Sequence, residues 1–135
     1  MSEKKSMLDG DRQYHIQLKE GDVADFVILP GDPGRVDFIA EHFDDPKEVA
    51  YNREYKTITG TYKGRHVSVT STGIGCPSAA IAVEELANIG AKTLVRLGTS
   101  GAMQEHTRIG CLLYKSDAAD EGLGVDLGGR RIIKK

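Results

Sequence analysis

Three glycine-rich turns and two arginines are the residues of this 135-residue chain best suited to chemistry. The turns run from Gly31 to Arg35, from Gly73 to Ser78 and from Gly98 to Gly101. Glycine lets a backbone approach a ligand closely, and amides at a helix N-terminus favour an anion. Arg35 follows the first turn and Arg96 lies just before the third. Guanidinium groups bind phosphate oxygens in pairs and stay charged at every working pH. Arg96 sits in an apolar run, where a charge is costly unless it finds a partner or reaches a ligand at the strand end. One such turn is weak evidence. Three, two of them with an arginine nearby, point to an anion held beyond the carboxyl ends of strands.

Other polar residues carry less on spacing alone. Arg53-Glu54, inside Tyr51-Asn52-Arg53-Glu54-Tyr55, reads as a solvated surface pair, and His15 as a surface or packing histidine. His42, His66 and His106 lack metal-ligand spacing. Cys76, between Gly75 and Pro77, has no evident activating partner and reads as packing. The chain has no P-loop, no GxGxxG fingerprint and no GxSxG elbow.

Elements that would position these turns follow from the apolar pattern. Asp25-Phe26-Val27-Ile28-Leu29-Pro30 reads as a strand buried on both faces. Asp32 then makes an N-cap with Pro33 at the first helical position. Val36, Ile39, Ala40 and Phe43 continue at helical spacing. Lys47 to Ala50 suggests a short strand, and Tyr14 to Leu18 an edge strand or extended arm. Residues 57–62 and 66–71 are β-rich, and Lys63-Gly64-Arg65 between them is a hairpin signal. Pro77 opens a helix with apolar residues at Ala80, Ile81, Val83, Ala87 and Ile89, and Gly90 ends it. Thr93 to Leu97 reads as another buried strand. Strands and helices alternate, so an α/β fold with a mixed, largely parallel sheet is expected.

Composition narrows the function classes. Eighteen Lys plus Arg against twenty Asp plus Glu give a formal charge of −2. That lacks the basic face that nonspecific nucleic-acid or anionic-membrane binding requires. No apolar run has the roughly 18 residues of a membrane span, and residues 1–15 lack the apolar core of a secretory signal. Two cysteines, Cys76 and Cys111, make no disulfide scaffold, so a cytoplasmic location is expected. Residues 1–13 read as a flexible arm, and residues 111–135 as a non-native or disordered tail that resembles translated adapter sequence.

PGDPGR at 30–35, NREY at 52–55, STGIGCPSAAIAVEEL at 71–86 and RLGTSGAMQ at 96–104 together resemble the N-terminal half of a nucleoside phosphorylase of the trimeric and hexameric class. The match covers about residues 14–110, and STGIG with REY looks more like the uridine branch than the purine branch. The resemblance implies a three-layer fold. It matches Gly31 and Arg35 to the family's phosphate loop, Arg96 and Thr99 to a second phosphate segment, and Thr99 also to the ribose. It matches Arg53 and His15 to residues that reach a neighbouring subunit's phosphate and ribose, and Glu54, Ile74 and Ser78 to a monovalent-cation site such as potassium would occupy. The implied reaction is reversible phosphorolysis of a nucleoside, uridine first. Inorganic phosphate is co-substrate, no other cofactor is required, and the assembly is a dimer-based hexamer. Members of the family are about twice this long, so the chain reads as a truncated fragment without activity of its own. The alternatives are a non-catalytic phosphate- or nucleoside-binding fragment, a purine nucleoside phosphorylase, or a nucleosidase. Paired Arg35 and Arg96 argue against the nucleosidase, because attacking water needs no anion clamp.

Overall fold

The computed structural model describes residues 11–99, 101 and 109–110. The chain divides into two compact units, residues 1–98 and 99–135. Of the second unit, Thr99, Gly101, Ile109 and Gly110 are described, and all four are exposed. The expected tail at 111–135 and residues 1–10 of the expected arm lie outside the described residues.

In the first unit, β1 (Phe26–Leu29) stops at Pro30, and α1 (Pro33–Ala40) starts three residues later. The Asp32 side chain accepts from the Gly34 amide at 3.0 Å, and Pro33 supplies the fixed φ of a first helical residue. Next come β2 (Asp44–Asn52), β3 (Tyr55–Tyr62), β4 (Arg65–Thr70), α2 (Cys76–Asn88) and β5 (Thr93–Arg96). Lys63 and Gly64, at φ 50° and 77°, give the β3–β4 hairpin the two positive φ values of a type I′ turn. The β2–β3 loop has only Arg53 and Glu54. Arg53 takes φ 54° there, as the first position of a type II′ turn requires.

The sheet order is β2-β3-β4-β1-β5. β1 pairs parallel with both β4 and β5, while the two hairpins pair antiparallel, so the sheet is mixed. Alternation along β1 sends Val27 and Leu29 to one core and Ile28 to the other. The first core joins Ile16, Leu18 and Tyr55 with Ala82, Leu86 and Ile89 of α2. The second joins Val36, Ala40 and Phe43 with Ile58, Val67 and Val69. A helix thus covers each face of the sheet, which gives the expected three layers.

On the α2 face the sheet also buries hydroxyls: Thr57, Ser68, Thr70, Ser71 and Thr72 are all fully buried. They bond one another or backbone, as buried polar groups must. Thr57 pairs with Thr70 at 3.0 Å, and Thr59 with Ser68 at 2.8 Å. Ser68 also accepts from the Ala24 amide at 2.8 Å.

Four expectations change. Tyr14 to Leu18 forms no strand: Gln13 N donates to Leu18 O at 2.8 Å, closing a turn that buries Ile16 and Leu18 under α2. β5 is an edge strand with Val95 and Leu97 exposed, because nothing among the described residues lies beyond it. The buried stripe of α2 is Ala82, Leu86 and Ile89, with Ile81 partly covered and Ala80, Val83 and Ala87 outside. Cys76 is exposed, since it occupies the first turn of α2 ahead of that stripe.

Candidate functional site

β1 and β4 run parallel, so their carboxyl ends arrive side by side, and the loop after each opens at the same edge. Backbone bonds stitch these loops together. Thr72 N donates to Pro30 O at 3.0 Å and Gly73 N to Gly31 O at 2.9 Å. On the other flank, Leu97 N donates to Leu29 O at 3.1 Å, which brings the end of β5 to the same place.

Arg96 folds back over this junction. Its Nη1 donates to Leu29 O at 2.7 Å and to Leu97 O at 3.3 Å. Its Nη2 stands 3.1 Å from where a Cβ on Gly31 would project, so only glycine leaves the guanidinium this position. Among the described residues its partners are these carbonyls, and no carboxylate neutralises it. Arg35 is an exposed residue in the first turn of α1, four positions beyond Gly31. Two of the three predicted glycine turns and both arginines therefore belong to one end of the sheet.

Gly73 makes the second crowded point. At φ 70°, its Cβ would lie 2.8 Å from Glu54 Cγ and 2.9 Å from Ser78 Oγ. Glu54 and Ser78, far apart in sequence, thus flank one glycine. Ser71 Oγ donates to Glu54 O at 2.6 Å, Tyr55 Oη donates to Ser78 O at 3.1 Å, and Ser78 Oγ donates to Thr72 O. Burial pushes the Tyr55 hydroxyl above its ordinary pKa, and the bond to Ser78 opposes that only in part. Ile74, the third expected cation ligand, has a 99% exposed side chain, and an isoleucine could offer a cation only its carbonyl. One carboxylate, one hydroxyl and a carbonyl form an all-oxygen set, which suits a hard cation. Among the described residues no group of three or more His, Cys, Asp or Glu side chains could hold a metal.

The remaining predicted residues lie around this end or apart from it. Arg53 is exposed at the tip of the β2–β3 turn, next to Glu54. His15 is held against α2 and β2: its ring Nδ1 lies 2.6 Å from Glu85 Oε1, and its carbonyl accepts from Asn52 Nδ2 at 2.7 Å. Thr99 is exposed at the start of the second unit, and His106 lies outside the described residues. Two clefts, of about 530 and 430 Å³, lie elsewhere, and neither is lined by a predicted site residue. The larger is apolar, under α1 near the β3–β4 hairpin, with Phe26, Phe43 and Val67 among its walls. Glu85 is the residue that sequence reasoning missed. Its partner lies 70 positions earlier, a pairing no local pattern announces.

Residues 25–132 match the phosphorylase superfamily. The chain is 57% identical over 106 residues to a uridine phosphorylase of Thermococcus kodakarensis, covering 78% of this chain and 38% of that protein. It is 51% identical over 110 residues to a guanosine phosphorylase of Halorubrum lacusprofundi, covering 82% and 46%. The structure resembles the crystal structure of uridine phosphorylase from Vibrio fischeri with a TM-score of 0.71 at 46% identity, covering 73% of this chain and 41% of that one. The chain thus spans less than half the length of these relatives.

Proposed function

The chain belongs to the phosphorylase superfamily, and on that premise we propose that it carries the phosphate-binding half of a nucleoside phosphorylase site. One observation carries the reading: the Arg96 guanidinium stands 3.1 Å from the Gly31 Cβ position, at the joined ends of β1, β4 and β5, with carbonyls for partners. A guanidinium so placed, beside a glycine loop that leads into a helix, suits a phosphate dianion. Gly31, Arg35 and Arg96 hold that anion, and Arg53 adds charge from a neighbouring copy. These belong to the first compact unit, and Thr99 to the second.

The whole protein's reaction on this reading is phosphorolysis. Inorganic phosphate attacks C1′ of a nucleoside, the C1′–N bond breaks, and free base leaves with ribose 1-phosphate formed. Positive charge builds on the sugar as the bond stretches. The arginine-held dianion lies against that charge, so it is both nucleophile and counter-charge. No protein nucleophile is needed. Uridine is the proposed nucleoside, because the relatives named uridine phosphorylase reach 57% identity. The guanosine phosphorylase relative makes guanosine the comparison substrate. Glu54, Ser78 and the Ile74 carbonyl would hold a monovalent cation where subunits meet.

Phosphate titration by calorimetry, with uracil release from uridine measured with and without phosphate, tests the reading. Saturable phosphate binding is expected. Arg96→Ala should weaken it by at least about 1.5 kcal/mol, the lower range for a hydrogen bond to a charged group. Equal binding by a folded Arg96→Ala chain overturns the assignment. Uracil release without phosphate would transfer it to hydrolysis.

A further inference from the structure

The Glu85 carboxylate is met by donors at both of its oxygens. The His15 amide points to both of its oxygens, at 3.2 and 3.0 Å, and the Ile16 amide donates to Oε2 at 2.9 Å. The fourth contact is the His15 ring, with Nδ1 2.6 Å from Oε1. Both oxygens therefore accept from backbone N–H groups, which cannot act as acceptors themselves. An ionised carboxylate has no hydrogen to give and can only accept, from the ring as from the two amides. The consequence falls on the ring. Nδ1 must carry a hydrogen, and the neutral imidazole is left with its lone pair on Nε2.

The surroundings keep that arrangement in place. The Glu85 side chain is only 12% exposed and the His15 side chain 32%. Tyr14 packs edge-on against the ring with centroids 4.9 Å apart, and Asn52 Nδ2 bonds the His15 carbonyl. Glu85 itself sits on α2, between the buried Ala82 and Leu86. Among the described residues Nε2 has no partner.

We propose that Glu85 is a positioning residue that fixes His15 in its Nδ1–H tautomer, so that Nε2 is offered outward as an acceptor for a hydroxyl donor. That the hydroxyl is the 5′-hydroxyl of a nucleoside's sugar rests on the phosphorolysis reading. The tautomer itself does not. A hydroxyl that donates to Nε2 is held in one orientation, whereas the opposite tautomer would present an N–H and accept nothing. Glu85 thus acts through His15 and need not touch the sugar.

Long-range proton–nitrogen NMR of the full chain, uniformly labelled with ¹⁵N, reads the tautomer directly without phosphate or nucleoside. His15→Ala identifies the His15 signals by their loss. At a pH where the ring is neutral, Nδ1–H should exceed Nε2–H by about tenfold or more, the bias that one charge-assisted hydrogen bond sustains. Glu85→Gln, which keeps the shape and removes the charge, should lower that ratio by about tenfold, with the amide shifts of Val27 and Leu86 reporting that the core is intact. A wild-type ring in the Nε2–H form overturns the proposal, and so does an Nδ1–H ratio unchanged in folded Glu85→Gln. If Glu85→Gln does not fold, the wild-type spectrum alone decides. Phosphate titration is a separate measurement, so loss of phosphate binding with the tautomer intact would strike the phosphorolysis reading and leave Glu85 in its role.

Discussion

Gly73 and Gly64 share a left-handed backbone, at φ 70° and 77°, but lie at opposite ends of the sheet. A Cβ on Gly64 would meet nothing within 4 Å, while one on Gly73 would press into Glu54 and Ser78 below 3.0 Å. The hairpin end uses glycine for turn conformation alone. The carboxyl end uses it for conformation and for room, because three strand ends, two loops and the Arg96 head crowd together there.

The sharpest way to break this contrast is Gly73→Ala. Positive-φ strain and overpacking act together, and about 2–5 kcal/mol of stability should be lost in denaturant titrations. A change under about 1 kcal/mol would mean that the close contacts of Gly73 relax freely. Gly31→Ala probes the same end more finely. Its Cβ lies 3.1 Å from Arg96 Nη2, the end of a flexible side chain, so the head should move while the fold survives. Phosphate affinity should fall about tenfold, close to 1.4 kcal/mol, with the melting temperature nearly unchanged. Gly64→Ala should do the reverse, costing about 1 kcal/mol of stability from its φ and leaving phosphate affinity alone.

Tyr55→Phe gives the smallest effect. Loss of the bond to Ser78 O should cost about 0.5–1 kcal/mol near neutral pH. It should also change the alkaline limb. Burial raises the Tyr55 pKa, so the folded state keeps its proton longer than the unfolded one. Stability is then whole below the ordinary tyrosine value and falls as pH climbs through it toward the folded value. Lys56, raised chiefly by its bond to Asp37, acts in the same direction and at similar pH. Thermal melts between pH 9 and about 11.5 should therefore show a shallower decline in Tyr55→Phe, not a flat one.

Much of the site's scaffold was legible because it is local. Asp32 and Pro33 announce α1, and Lys63-Gly64 the hairpin, within a few residues. Gly90 does the same for α2: its amide reaches Ala87 O and the Ala91 amide reaches Leu86 O, the two bonds of a Schellman end. Long-range pairing was not legible. Ile16 and Leu18 are buried by α2 and the sheet, so alternation in Tyr14–Leu18 suggested a strand that the backbone does not make. The phase of α2 is masked because its sequence is alanine-rich and apolar nearly all round, which blunts the periodic signal. β2 reads poorly because its edge position exposes most of its polar residues, and two bulges break its alternation. The meeting of Arg96 with Gly31 follows from parallel pairing of β1 and β5, a consequence of topology with no marker in either segment.

The buried hydroxyl pairs give β3 and β4 an alignment check that hydrocarbon could not. A two-residue slip keeps every side chain on its own face, so an aliphatic ladder would barely register the mistake. With hydroxyls, a slip that sets Thr70 opposite Tyr55 in place of Thr57 separates Thr70 from its hydroxyl partner, at a cost of about 1–3 kcal/mol if that oxygen stays buried and unpaired. Because β4 leads into Thr72 and Gly73, the alignment of that hairpin also sets where the Gly73 loop begins.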